Sequence, residues 1–324
     1  MSVVDRPVLY TTRFRLMGGG ASVKFVDDHG REQAERVARA VEAEARRIEM
    51  KFSRYRENSV ISEINRNAGR TPVAVDRETE QLVLFALDLA RITGGRFDPT
   101  VGVLRRAWDF RSGKVPSAAE IRALLPLVDA SAISVQDRTV FLRRAGMELD
   151  FGGIGKEYAV DRAVDTLERE GVTIALVDFA GDVRTLGMRG DGRPWSIGVV
   201  DPEETRRCRF TVRTVGSSGV ATSGTYERCF VKDGRRYHHL LDATTGWPAQ
   251  GLASVTAVDG TAFRAGRYAT AAFLLGPEAG LALLERTKSI EGALITEGGE
   301  ILVTRGMANL TDLPGSLYAK YPFI

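Results

Sequence analysis

Between residues 174 and 231 five strand-like runs, 174–177, 183–186, 195–200, 209–215 and 221–231, follow one another with turn residues between them. Parallel neighbours need a crossover of roughly a dozen residues or more, so runs this closely spaced predict an antiparallel sheet. Upstream, residues 8–26 alternate as a strand interrupted by Met17-Gly18-Gly19-Gly20. A long amphipathic helix over 31–51 follows, with Ala34, Val37, Val41, Ala45 and Ile48 on one face. A second helix starts near Asp76 and stops at Gly94 and Gly95, and Ser117 with Glu120 forms a capping box that opens a short helix through Leu125. Strand-like runs at 132–136 and 139–143 lead to a further helix ending at Gly171. A helical pair over 264–287 and a hairpin of 293–295 with 301–303 complete the pattern. Helices and strands are mixed without strict βαβ repetition, so the expected class is α+β, with mixed or antiparallel sheets and packed helices. No repeat, low-complexity segment or linker divides the 324 residues, which predicts one unit over 1–324 with two lobes.

Composition narrows the function classes. The net charge of +3 is small, and Lys and Arg are spread evenly, which argues against a nucleic-acid binder. Only 7 of the 45 basic residues are lysines, so Lys156 is a rare choice here. Cys208 and Cys229 form no metal-binding spacing, and two free thiols in a reducing compartment is the simpler reading. The first residues contain neither an apolar segment of signal length nor a lipid-attachment cysteine, and no run is long enough to insert in a membrane. A cytoplasmic protein is expected.

The chemistry concentrates in a few stretches. LDFGGIGKEYAVD at 149–161 reads as an apolar strand entering a glycine turn, followed by Lys156 and a helix carrying Asp161. Free backbone N–H groups and a positive charge then converge on one point, which suits an anionic ligand such as a phosphate. Four further clusters stand out: FSRYRENS at 52–59 with Asn65, FDPTVG at 97–102 with Trp108, ATSGTYER at 221–228 running into HHLLDATTGWP at 238–248, and AGRYAT at 265–270. Each also has a plain reading. Asp98 before Pro99 is a turn former, Ser223-Gly224 and Thr245-Gly246 are turns, Asp161 is a cap partner and Tyr55 a core aromatic. The paired His238 and His239 beside Asp242 are the hardest to read as structure alone.

Taken in order, Met17-Gly18, FSRY and ENS with Asn65, FDPTVG, LDFGGIGK with YAVD, WSIGVVDP, VATSG with YER, and HHLLDATTG resemble the ApbE family of FAD:protein FMN transferases over about 12–305. The resemblance implies a two-lobed, T-fold-related architecture with FAD bound between the lobes and a divalent cation, usually magnesium, at its pyrophosphate. It implies transfer of FMN to a threonine or serine hydroxyl of a target flavoprotein with release of AMP. By position it places Met17 and Tyr55 at the flavin, and Ser59, Asn65, Asp98 and Thr100 in the cleft. Asp161, Ser223 and Gly224 fall in matching cofactor-side motifs. Lys156 is implied to neutralise phosphate charge, His239 to take the acceptor proton, and Asp242 to orient His239 or tune its pKa. The Gly155 carbonyl and Thr270 hydroxyl match metal ligands.

Three departures qualify the match. The family's last motif carries an aspartate, a main metal ligand, where this chain has Gly266 followed by Arg267. The usual Lys-Gly-Tyr reads Lys156-Glu157-Tyr158, and Asp178–Asp182 replaces an amide and paired glycines. Two readings of the first two changes stay open. Either Glu157 supplies the missing carboxylate as a relocated metal ligand, or it is a solvent-facing helix residue and the metal site is lost. Arg267 offers another way to neutralise phosphate. The functional alternatives are accordingly an FMN transferase, a divergent member that hydrolyses FAD or uses a small-molecule acceptor, and a non-catalytic flavin or partner binder.

Overall fold

The computed structural model describes residues 8–313. The leader reading, which rests on the first residues, and the outer ends of the 1–324 span lie outside the described residues. Eight strands form one sheet in which spatial order repeats chain order: Val8–Leu16, Gly19–Asp27, Ala175–Phe179, Asp182–Leu186, Ser218–Gly224, Leu252–Asp259, Glu291–Thr296 and Ile301–Val303. Every neighbouring pair is antiparallel. The α+β expectation therefore holds. Its details differ in four places.

Trp195–Val200 and Cys208–Thr214 leave the sheet and pair as a separate ribbon. The run 221–231 breaks at its polar turn, after which Cys229–Lys232 pairs with Arg235–His238. Leu252–Asp259 lacks the alternation that marks a half-exposed strand, because all eight of its residues are buried. The stretch before the glycine turn is not a strand: Thr139–Leu142 ends short of it, and Leu149–Phe151 belongs to no sheet.

Seven α-helices complete the described residues: α1 (Arg31–Phe52), α2 (Val60–Arg66), α3 (Arg77–Ile92), α4 (Ala118–Leu124), α5 (Gly155–Arg169), α6 (Ala262–Leu275) and α7 (Pro277–Arg286). Helices α5, α6 and α7 lie on one face of the sheet, and α1 packs against α5. The predicted stripe of α1, Ala34 to Ile48, is fully buried, and Phe52 extends it. At about 1.5–3 kcal/mol for each large aliphatic side chain, that stripe anchors the helix layer. The opposite face of the sheet is covered by the ribbon, with Trp195, Val199, Phe210 and Val212 in its core.

A three-stranded sheet of Val73–Ala74, Ile133–Gln136 and Thr139–Leu142 lies beside α2 and α3. A separate apolar cluster joins Leu104, Trp108 and Ile121 to Leu241, and the Trp108 indole N–H donates to the Gly246 carbonyl at 2.8 Å. One glycine is dictated by close approach. A Cβ on Gly219 would lie 2.1 Å from the Thr261 carbonyl carbon, where the strand passes the start of α6.

Candidate active site

The glycine turn sits at the start of α5 and is held from three sides. Asn65 donates to the Leu149 carbonyl at 3.0 Å and accepts the Leu149 N–H at 2.7 Å. The Asp150 N–H donates to the Pro99 carbonyl, and Asp150 Oδ1 accepts the Gly152 N–H at 2.8 Å. Asp98, almost fully buried, accepts the Thr100 N–H and hydroxyl on one oxygen and the Ala130 N–H on the other. Thr100 Oγ1 in turn accepts the Asp129 N–H. Ser59 caps α2 by accepting the Ser62 N–H, so a helix that the sequence reading passed over starts there. These four cleft residues thus form the framework under the turn. Burial raises the Asp98 pKa against the pull of its three hydrogen bonds.

Lys156, in the first turn of α5, points at the central strands. Its ammonium lies 2.9 Å from Asp182 Oδ2 and donates to the Ala180 carbonyl at 3.0 Å. Burial opposes the charge on Lys156, but Asp182 and Glu157 more than offset it and hold the pKa above the ordinary lysine range. Asp182 itself is buried, and that burial raises its pKa despite the lysine. Glu157 is also buried, at 8 % exposure, and its Oε2 has no hydrogen-bond partner. Burial, with Asp182 nearby, pushes the Glu157 carboxyl up. Glu157 is therefore no solvent-facing helix residue. Two carboxyl groups thus stand against one lysine beside the glycine turn.

Helix α6 supplies the other wall. Thr270 Oγ1 and Ser223 Oγ lie 3.0 Å apart, joining the helix to the strand Ser218–Gly224. At Gly224 a Cβ would meet the Tyr226 ring at 2.6 Å, so that ring closes over the end of the strand. Asp161 has a structural task. Its oxygens accept the Ala262 and Phe263 N–H groups at 3.0 Å each, and Arg184 pairs with it at 3.2 Å. Arg267 is not available to a phosphate: it pairs with Asp88 and lies over the Phe85 ring, at 13 % side-chain exposure.

A second group of residues lies towards Arg105. Tyr55 is 70 % exposed, not a core aromatic, and its hydroxyl accepts from Arg105 at 2.6 Å. Arg54 also lies over the Tyr55 ring, and Arg105 pairs with Asp150 at 3.4 Å. Met17 reaches the same end of α1: its N–H donates to Glu49, which also pairs with Arg56.

His239 is half-buried, with its Nδ1 sealed from solvent and unpartnered. Burial first, then the charges of Arg228, His238 and Arg105, lower its pKa to about 3. Its neighbour His238 donates its Nε2–H to the Ala249 carbonyl at 2.9 Å and is lowered to about 4 by burial. The expected Asp242–His239 partnership is absent. Asp242 Oδ1 is taken by the Thr244 N–H and hydroxyl, and Oδ2 by Arg96 at 3.0 Å. Asp182, Arg54 and Arg105 went unassigned from sequence. Asp182 stood in a noted acidic departure, whereas the two arginines carried no signal among so many.

Around α5 and α6 the Ser223 and Thr270 hydroxyls and the unpartnered, buried Glu157 Oε2 are hard oxygen donors of the kind a divalent cation takes. Fold and site together define an α+β protein in which buried carboxylates, paired hydroxyls and a neutral imidazole surround a glycine turn on a helix-covered antiparallel sheet.

The ApbE family profile matches residues 17–303, and the chain belongs to that family. An FAD:protein FMN transferase of Klebsiella pneumoniae is 34% identical over 301 residues, covering 91% of this chain and 92% of the relative. One from Treponema pallidum is 33% identical over 279 residues, covering 81% and 77%. Among solved structures, the ApbE protein of Thermotoga maritima matches with a TM-score of 0.86 at 33% identity, over 94% of this chain and 99% of that one. The apo flavinyl transferase ApbE of Pseudomonas stutzeri matches with a TM-score of 0.84 at 31% identity, over 97% and 100%.

Proposed function

We propose that this chain is an FAD:protein FMN transferase. The observation that carries the reading is the match, over nine-tenths of both chains, to a relative of that activity. In the reaction an acceptor hydroxyl oxygen bonds to the FMN phosphorus of FAD, the bond from that phosphorus to the bridging oxygen breaks, and AMP leaves with that oxygen. Little covalent chemistry is required of the protein, so positioning and charge carry the catalysis.

His239 takes the acceptor proton on its unpartnered Nδ1. Its low resting pKa keeps the imidazole neutral and open to a proton throughout the physiological range. Phosphate charge beside Arg105 and Arg228 offsets the two guanidinium charges and makes the ring more basic once FAD is bound. Tyr55, presented on Arg54 and Arg105, and Met17 form the flavin side. Lys156 holds its charge at the phosphates through its pairing with Asp182. The Gly155 carbonyl and the Thr270 hydroxyl would hold a magnesium ion, which when bound neutralises pyrophosphate charge. The acceptor in this reading is a threonine or serine of a partner flavoprotein.

The test is incubation of the purified protein with FAD, magnesium and a protein extract from its host. AMP is followed by chromatography, and covalent flavin by in-gel fluorescence. A fluorescent band that appears with AMP, and is lost with His239→Asn, supports the assignment. AMP without any labelled protein would make the chain an FAD hydrolase. Neither product would leave a flavin or partner binder.

A further inference from the structure

Gly266 is buried inside α6, where glycine is less favourable than alanine. A close neighbour explains it. A Cβ at this position would lie 2.5 Å from Glu157 Cγ and 2.8 Å from Glu157 Oε1. The Glu157 side chain thus fills the space into which a residue at 266 would project. Positions 266 and 270 are one turn apart and share a face of α6, so the Glu157 carboxylate arrives on the face that carries the Thr270 hydroxyl. Gly155 stands two residues before Glu157 in the same first turn of α5. Among the described residues the Lys156 ion pair is with Asp182, whereas Glu157 makes none and its Oε2 is buried without a partner. A carboxylate oxygen sealed from water and left unbonded is costly unless something positive is to occupy the space beside it.

We propose that Glu157 and Gly266 are a reciprocal exchange, in which the carboxylate ligand of the divalent cation reaches the Gly155–Thr270 site from the first turn of α5 instead of from α6. Magnesium takes hard oxygen ligands and commonly keeps one or two carboxylates with phosphate oxygens and waters. Moving the carboxylate from one helix to the other preserves that donor count while requiring glycine at the vacated position. The inference rests on the transferase reading only for the pyrophosphate that the cation would meet.

The experiment is a titration of Mn²⁺ alone, followed by calorimetry and by the spin signal of the free aquo ion. It is run on wild type, Glu157→Gln, and the double variant Glu157→Gly/Gly266→Asp, with thermal melts to establish folding. Wild type is expected to bind one Mn²⁺. Glu157→Gln, which keeps shape and removes charge, is expected to weaken it by about 10-fold or more, at least the loss usual for disturbing a metal's supporting shell. The double variant is expected to return to within about threefold of wild type, since the same donor set is rebuilt. Wild-type affinity in Glu157→Gln, no Mn²⁺ binding by wild type, or a folded double variant that fails to recover would each overturn the exchange. Should the double variant not fold, Glu157→Gln decides alone. FMN transfer is scored separately. Transfer without Glu157-dependent Mn²⁺ binding defeats the exchange and leaves the transferase reading, and the converse defeats the reading and leaves the exchange.

Discussion

Acidification offers a quantitative probe of the histidine pair. Both rings are held neutral, His239 lowered to about 3 and His238 to about 4 from an ordinary 6.5, in each case mainly by burial. In the unfolded chain both rings take up a proton as pH falls through 6.5, whereas in the folded protein neither does until far lower. Their stabilising effect is therefore complete above about pH 6.5 and is lost progressively between there and about pH 4 to 3. From pH 7 to pH 5 the unfolded state gains roughly 1.5 pH units of protonation advantage per ring, or about 2 kcal/mol each at 1.36 kcal/mol per unit. The pair should thus contribute about 4 kcal/mol of acid sensitivity over this range.

Urea denaturation at pH 7, 6 and 5 on wild type, His238→Asn and His239→Asn measures it. Each variant should lose about 2 kcal/mol less than wild type between pH 7 and pH 5, whatever its absolute stability. Because Asp98, Glu157 and Asp182, with raised pKa values, act in the opposite direction in every variant, the difference isolates the histidines. Proton NMR of wild type gives an independent reading, with the His238 and His239 ring signals expected at neutral positions down to pH 5. Equal acid losses in all three proteins, or ring signals that titrate near 6.5, would refute the reasoning.

Other perturbations follow from the same contacts. Asp161→Ala removes the acceptor of two α6 N–H groups and leaves Arg184, 12 % exposed, without that partner. It should cost about 3–5 kcal/mol in urea unfolding, as breaking a buried ion pair does, and a loss under about 1 kcal/mol would contradict the assigned role. Gly219→Ala places a Cβ against the Thr261 backbone and should destabilise by about 1–3 kcal/mol or more, read as a lowered Tm. Asn65→Ala frees both backbone groups of Leu149 beneath the glycine turn and should cost about 1–3 kcal/mol. Its signature is faster hydrogen exchange at the Leu149 amide, and unchanged exchange would count against Asn65 as the anchor.

Local signals carried much of this protein. The apolar spacing of α1, the Ser117–Glu120 capping box and the closely spaced strands of the second half were legible because each depends on neighbours a few residues away. The ordered motifs, read the same way, were enough for family membership. The strand Leu252–Asp259 escaped because burial on both faces erases the alternation that marks strands. Ser59, Asn65, Asp98 and Asp161 were noticed as polar residues in telling places, yet nothing local said that their hydrogen bonds hold the backbone under the site.

Sequence alone therefore determined the fold class, the family and which residue types bear on the chemistry, since these follow from periodicity and motif order. Tertiary structure decided who partners whom. It placed Glu157 against Gly266, gave Lys156 to Asp182 and Asp242 to Arg96, and left His239 neutral under the charges of Arg105 and Arg228. Those outcomes depend on burial and on contacts between segments far apart in the chain, where desolvation and charge act across space and not along the backbone.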